Sequence, residues 1–486
     1  MKLDPVIGLE VHAQLLTRSK MFCGCSRDYS GAEPNTFVCP VCLGMPGTLP
    51  VINRKAVEYV VMTGLALNCS INEHTKFDRK NYHYPDLMKG YQISQYDLPI
   101  AYKGWLELPD GKKAGITRVH LEEDTARLLH RTDAATGEGY SLMDVNRSGT
   151  PLMEIVGEPD LKTPEEARQY LVKLRAIVQY LGVSTASMEE GSFRCDANIS
   201  MAIDGKMQPS KVEVKNMNSF RSVYNALVYE IERQTKVMES GGRVVQETRG
   251  WVEPKGITVS QRSKEHAHDY RYFPEPDLPP LELSRQYVEE VRSRLPELPD
   301  QRRARFQEMY GLALYDATQL TVSKPTAEFF EEAVRSSASQ DGKQAARAKA
   351  TANWIITELA RLLNAEGKEI TDSRVSPRAL AGMLDMLDAG RLSSKMAKDV
   401  FEEMYRTGKD ARRVVQEKGL VQISDEDQIR GMVDQVVLAN PQAVADYKKG
   451  KENAVKFLVG QVMKASKGQV NPQKANELVA ERLGRE

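Results

Sequence analysis

The stretch Gly8-Leu9-Glu10-Val11-His12-Ala13-Gln14-Leu15 alternates with a period of two, which fits a strand and not a helix. Leu9, Val11, Ala13 and Leu15 fall on one face, and Glu10, His12 and Gln14 on the other. That is the pattern of a strand buried on one side. The polar row is unusual because it sets Glu10 beside His12, two potential metal ligands. On an isolated strand such a row would simply face solvent. Further rows of carboxylates occur later in the chain and give these two residues partners.

Residues 105–108, turned at Pro109-Asp110-Gly111, read as one arm of a hairpin. Residues 116–129 follow as a β run, with Val119, Leu121 and Glu123 on one parity and His120, Glu122 and Asp124 on the other. The three consecutive acids Glu122-Glu123-Asp124 repel one another in a packed sheet unless a cation is present. Residues 141–146 and 149–156 are short strands. The second sets Glu154 among apolar neighbours, where a lone carboxylate needs a partner. Residues 188–200 resume the β pattern, with Glu189-Glu190 at their start and Arg194, Asp196 and Asn198 alternating on one face.

Helices interrupt these strands. One is expected after Pro50, with Val57, Val60, Val61, Gly64, Leu65 and Leu67 as its apolar stripe. Thr163-Pro164-Glu165-Glu166 combines an N-cap, a first-position proline and the glutamate of a capping box. Apolar residues at helical spacing follow, until Gly182 ends the pattern. An amphipathic helix with Val223, Leu227 and Ile231 on one side comes after residues 212–220.

Of the six cysteines, four form close pairs, Cys23-Gly24-Cys25 and Cys39-Pro40-Val41-Cys42. Two such pairs across a loop are the usual way to give Zn²⁺ four thiolates in a closed structural site, here stapling residues 22–43 beside the first strand. Cys69 and Cys195 stand apart and read as ordinary buried thiols.

At 486 residues the chain has room for two or three domains. The proline-dense Pro274-Glu275-Pro276-Asp277-Leu278-Pro279-Pro280 ends the β-rich part, and beyond it the pattern is almost wholly helical. The expected fold class is α+β: a β-rich domain with flanking helices over residues 1–290, an all-α helical domain over 291–408, and a small helical tail over 409–486. Lys plus Arg equals Asp plus Glu at 67 each, so any nucleic-acid surface must be local. One candidate is residues 441–474, with seven lysines against two acids, a net +5. Lys448, Lys449, Lys456, Lys464 and Lys467 are its candidate phosphate contacts, although a solvated helix face has the same composition. No apolar run approaches the ~18 residues of a membrane span, and the N-terminus carries no secretory or transit pattern, so a cytoplasmic protein is expected.

The chain has no P-loop, no dinucleotide fingerprint and no kinase, G-x-S-x-G or H-E-x-x-H motif. If ATP is used, Mg²⁺ must be held by the carboxylate rows. Glu10, His12, residues 122–124, Glu154, Glu189, Glu190 and Asp196 are the candidates, with His12 as a ligand or as a proton-handling neighbour. Lys76, Arg79, Arg194 and Lys215 would supply charge around phosphoryl oxygens. A metal-dependent hydrolase, or a non-catalytic protein whose acidic sheet holds a structural ion, fits the same residues.

Residues 6–14, 77–85, 120–124, 146–159, 188–200, 214–220, 268–276 and 457–472 together resemble the B subunits of the glutamyl/aspartyl-tRNA amidotransferases, over nearly the whole chain and in the right order. The resemblance implies ATP-dependent phosphorylation of the side-chain carboxylate of Glu-tRNA(Gln) or Asp-tRNA(Asn), then displacement of phosphate by ammonia. It implies a heterotrimer in which an amidase A subunit supplies the ammonia and a small C subunit joins the two. Carried over by position, it places the catalytic pocket on Glu10, His12, Glu123, Glu154 and Asp196, with Mg²⁺ on Glu10, His12, Glu123 and Asp196. The family pattern selects Glu123 over Glu122, a choice that parity leaves open. It makes the β-rich domain a cradle and the lysine-rich tail a tRNA contact. The zinc cysteines Cys23, Cys25, Cys39 and Cys42 occur in some members only. His266 departs from the pattern, which has an acid or a small residue there.

Overall fold

Strand β1 (Leu3–Gln14) is central to a ten-stranded mixed sheet. The computed structural model of the chain describes residues 2–208, 210–263, 270–337, 344–419, 426–448, 453–466, 470 and 472–484. After β1 come α1 (Arg54–Ala66), β2 (Ser70–Ile71), β3 (His74–Thr75), β4 (Asp78–Asn81), β5 (Tyr91–Ser94), β6 (Ala101–Glu107), β7 (Lys113–Glu123), β8 (Arg127–Thr132), β9 (Gly139–Asp144) and β10 (Pro151–Gly157). Helix α2 (Pro164–Tyr180), β11 (Phe193–Ile203), β12 (Lys206–Met207), β13 (Val212–Lys215), α3 (Phe220–Glu239), β14 (Glu247–Val252), β15 (Ile257–Ser263), β16 (Phe273–Pro274), β17 (Leu281–Glu282) and α4 (Arg285–Ser293) complete the first compact unit, which runs Met1–Leu298.

The sheet order is β15-β14-β13-β11-β1-β10-β7-β6-β2, with β12 paired to β11 and only β13 and β14 parallel. Residues opposite one another in an antiparallel ladder share a face. Leu9, Val11, Ala13 and Leu15 are fully buried in the core, with Ile155, Val119 and Ala197 from the flanking strands and residues of α1, α2 and α3. Each such Leu or Val contributes about 1.5–3 kcal/mol, so the register of β1 is strongly held. Helix α2 begins as its sequence indicates: Thr163 caps the Glu166 amide, and Pro164 occupies the first turn. The Glu166 carboxylate closes back onto the Lys162 amide, one residue earlier than a reciprocal box requires.

The sequence reads residues 116–129 as one β run, but the structure divides them. β7 ends at Glu123, and β8 leaves the main sheet to pair with β9. The break is fixed by Asp124, whose backbone exchanges hydrogen bonds with Thr150 and Gly149.

The second compact unit, Pro299–Glu486, is helical. Its apolar side chains form two clusters, one within residues 306–415 and another within 429–483. The α+β class holds: a mixed sheet with helices, then helices alone. Among the described residues, no helix is long and apolar enough to cross a membrane.

Candidate active site

The polar face of the sheet gathers its functional groups by register. His12 stands opposite Arg194 on β11 and Glu154 on β10, Glu154 stands opposite His120 on β7, and Glu10 stands opposite Asp196. All these side chains therefore share the face away from the core. His12 Nε2 lies 3.5 Å from Glu122 Oε1 and 3.7 Å from Glu154 Oε2. One ligand atom from each of these three residues falls within 4.8 Å of the others. His120 Nε2 reaches Glu154 Oε2 at 3.2 Å.

Glu10 and Asp196 continue the row two residues back along β1. Glu10 Oε1 accepts from Asn198 at 2.8 Å, and Lys215 Nζ reaches Asp196 Oδ2 at 2.6 Å and Glu213 Oε1 at 3.0 Å. At the other end Asp124 accepts from Gln14 at 2.7 Å and Arg194 at 3.1 Å, with Arg147 3.7 Å away.

Lys80 of β4 overhangs the centre, 3.9 Å from Glu122 and over the Tyr270 ring at 5.1 Å. It comes from the small sheet β16-β4-β5, which also sets Ser94 Oγ 3.3 Å from Glu122 Oε2.

The carboxylates of this face divide in their electrostatics: despite its burial, His120, His12 and Lys80 hold Glu154 well below its ordinary range. Burial, then Lys80 acting in the opposite sense and Glu154 reinforcing, leave the Glu122 carboxyl above its ordinary range. Burial, together with Glu154, Glu213 and Asp196, does the same to Glu10. Full burial depresses His120, which favours its neutral form. Asp124 goes the other way: burial pushes it up, but Arg194 and Arg147 more than offset that. Two carboxylates and an imidazole converge under a rim of ammonium and guanidinium groups, a donor set that could hold a divalent cation.

Several expected residues lie elsewhere. Glu123 is on the opposite side of the strand from Glu122. It accepts from the Ile93 amide at 3.0 Å, pairs with Lys89 at 2.5 Å, and borders a cavity of about 30 Å³ shared with Phe22, Cys23 and Cys42. Adjacent β residues face opposite ways, so Glu122, and not Glu123, stands beside His12 and Glu154. Lys76 is held by Asp78 and Asp97, and Arg79 is bidentate on Glu275 and also reaches Asp277. Both cations brace the small sheet and do not face the pocket. Glu189 and Glu190 lie in a turn and make no part of the pocket. Glu10, His12, Arg194 and Asp196 lie on the faces that the alternation gives them, and Glu154 and Lys215 join them there.

Lys80, His120 and Glu122 carry more of the site than the sequence alone assigns to them. The shared parity of His120 and Glu122 is the available signal, but only the β7–β10 register connects it to Glu154.

The four cysteine sulfurs of residues 23, 25, 39 and 42 also lie within 4.8 Å of one another. Cys39 and Cys42 are 3.9 Å apart, near the ~3.8 Å that tetrahedral Zn–S bonds of about 2.3 Å impose. The hydrogen bond from Cys23, with lesser help from the Cys39 backbone and Lys20, draws the Cys42 thiol down to about 4 despite its burial. These donors fit a thiophilic divalent ion. Cys69 and Cys195 are buried thiols raised by desolvation, Cys69 to about 12. Of the candidate tail contacts, Lys456 and Lys464 lie on the helix Asn453–Ala465, and Lys448 ends the helix Pro441–Lys448. Lys449, Lys467 and the departing His266 lie outside the described residues.

Residues 5–289 match the family described as the GatB/GatE catalytic domain, and residues 328–483 match the one described as the GatB domain. Curated relatives are similar over the full length. A protein of Carboxydothermus hydrogenoformans is 54% identical over 486 residues, covering 99% of each chain. One of Dehalococcoides mccartyi strain CBDB1 is 55% identical over 488 residues, and one of Thermomicrobium roseum 56% over 487, again with 99% of each chain covered. All three carry the name of the B subunit of an aspartyl/glutamyl-tRNA(Asn/Gln) amidotransferase.

Proposed function

Because the chain belongs to the family of B subunits of the aspartyl/glutamyl-tRNA(Asn/Gln) amidotransferases, and so is part of a glutamine-hydrolysing amidotransferase, we propose that its acidic face activates a tRNA-linked carboxylate with ATP. The observation that carries this reading is the convergence of His12, Glu122 and Glu154 beneath Lys80. The substrate is Glu-tRNA(Gln), Asp-tRNA(Asn) or both. A side-chain carboxylate oxygen attacks the γ-phosphorus of ATP, ADP leaves, and an acyl phosphate forms. Ammonia then attacks the acyl carbon, phosphate leaves, and the amide results. The intermediate is needed because oxide does not leave a carboxylate, whereas phosphate leaves readily.

The residues divide the work by position. Glu122, Glu154 and His12 would hold Mg²⁺, which when bound would neutralise phosphate charge. This takes Glu122 in place of Glu123. Lys80, Arg194 and Lys215 sit at the rim, where developing negative charge needs donors, while Lys76 and Arg79 brace the small sheet. Glu10 and Asp196 form the outer half of the pocket. Enclosure by the small sheet would limit hydrolysis of the acyl phosphate. Cys23, Cys25, Cys39 and Cys42 would hold a structural Zn²⁺.

The ammonia is assigned to an amidase A subunit, joined with a small C subunit in a cytoplasmic heterotrimer. Among the described cysteines, Cys69 and Cys195 are buried thiols raised by desolvation, which makes neither a glutaminase nucleophile. The decisive assay supplies the assembled enzyme with ATP, ammonia and each mischarged tRNA in turn. ADP release that depends on the mischarged tRNA, together with amide formation, is expected. ADP release indifferent to the tRNA would sink the proposal.

The tail is proposed to contact tRNA phosphates. Truncation before Pro441 is expected to weaken tRNA binding and to flatten its log K against log[salt] slope by about 2–4, at ~0.7–0.9 per lost phosphate contact. An unchanged slope would make the lysines a solvated face.

A further inference from the structure

Lys20 is a buried charge for which the amidation chemistry has no use. Its residue is 0% exposed. Its Nζ donates to the Phe37 carbonyl at 2.9 Å and to the Val145 carbonyl at 3.5 Å, and it approaches Cys42 Sγ at 3.6 Å. Among the described residues no carboxylate pairs with it. A desolvated ammonium is costly on carbonyl dipoles alone and normally takes an anion. The anionic chemistry within its reach is sulfur. The Cys39 amide donates to the same Cys42 sulfur at 3.1 Å, so two donors converge on one atom. Four thiolates around a divalent ion carry a net charge of about −2, and a neighbouring buried cation offsets part of it. Gly149 (φ 81°) closes over the lysine stem, where an added Cβ would lie 3.6 Å from Lys20 Cδ.

We infer that Lys20 is the built-in counter-cation of the four-cysteine centre: its ammonium donates to the Cys42 thiolate and ties the metal to the segment 145–150. This rests on reading those cysteines as a metal site and extends it to the group that lets thiolates persist where water is excluded. Lys20 is thus a positioning residue for the metal, distinct from the ligands.

The test uses the full chain, with Lys20→Met and the donor-retaining control Lys20→Gln. Zinc content, zinc affinity by chelator competition and the spectrum of the Co²⁺-substituted protein are measured. The parent is expected to hold stoichiometric zinc. Both variants should bind it ~10–100-fold less tightly, as outer-shell changes commonly do. Their sulfur-to-cobalt charge-transfer band should move to lower energy, because the thiolates lose a positive neighbour, while the tetrahedral ligand-field bands persist. The movement should be smaller for Lys20→Gln, which keeps a donor and guards against a misfolded methionine variant. A parent without zinc would remove the metal site itself. A zinc-loaded parent with unchanged affinity and charge-transfer energy in both variants would overturn the role of Lys20 alone.

Discussion

Glu122→Gln is expected to lower kcat for tRNA-dependent amidation by ~10²–10³-fold, about 3–4 kcal/mol of transition-state stabilisation, with tRNA affinity unchanged. The substitution keeps shape and removes one anion from the pair that faces His12. Glu154→Gln should act alike, because it removes the second anion and the charge that faces His120. Mn²⁺ as a probe separates the metal from the rest of the chemistry. Its affinity should collapse in Glu122→Gln and stay within about threefold in Glu123→Gln, whose carboxylate is turned toward Lys89. Loss of Mn²⁺ binding in Glu123→Gln alone would sink the assignment.

The pH dependence follows from burial. Glu122 and Glu10 titrate above their ordinary range in the metal-free protein. Each therefore binds a proton more readily folded than unfolded. Their contribution to stability is present at low pH and is lost as pH rises through the folded-state value. A cation must displace those protons, so its apparent affinity should rise with pH over that window. For the same reason Glu122→Gln should melt no lower than the metal-free parent, since it relieves like-charge crowding. Lost activity with kept or raised stability is the signature of a functional carboxylate. A large fall in melting temperature would instead make Glu122 structural.

What the sequence revealed here follows from which facts are local. Alternation in β1 is local, and it places Glu10, His12 and the apolar face without reference to anything distant. The cap of α2 and the paired cysteines are local too. Register is not. Glu122 and Glu123 are adjacent acids in one strand, and nothing within residues 116–129 says which parity meets His12. That depends on β10 lying between β1 and β7 and placing Glu154 opposite His120. Charge partners at long range are equally hidden. Arg79 reads as a phosphate ligand until Glu275, far along the chain, pairs with it through β16. The dipeptide Arg79-Lys80 could not reveal which cation faces the pocket. Strand alternation sends the two sides apart, and only the packing of the small sheet decides which side is in.

The other large effect is expected from the cysteine loop. Cys42→Ser should abolish zinc binding and lower global or local stability by about 2–5 kcal/mol, on the scale of losing a native cross-link. Residues 17–51 contain no regular helix or strand, so this segment depends on loop hydrogen bonds, on the buried Met21 and Phe22, and on whatever the four thiolates hold. It is also the support of a second segment. Met21 donates to the Gly149 carbonyl, Phe37 to Asn146 Oδ1, Val145 to Asn35 Oδ1, and Ser148 to the Cys42 carbonyl. Segment 145–150 in turn holds Asp124 by backbone bonds on both sides, and Asp124 holds Arg194. Release of the metal should therefore loosen residues 22–43 and 145–150 together, seen as joint loss of amide protection, and then weaken the placement of Arg194 at the pocket rim. The expected kinetic trace is a higher KM for ATP with a smaller change in kcat. The distance from the thiolates to the reaction makes this a positional effect, unlike that of Glu122. If Cys42→Ser leaves zinc content, amide protection and melting temperature as in the parent, the thiolates are not what closes this loop.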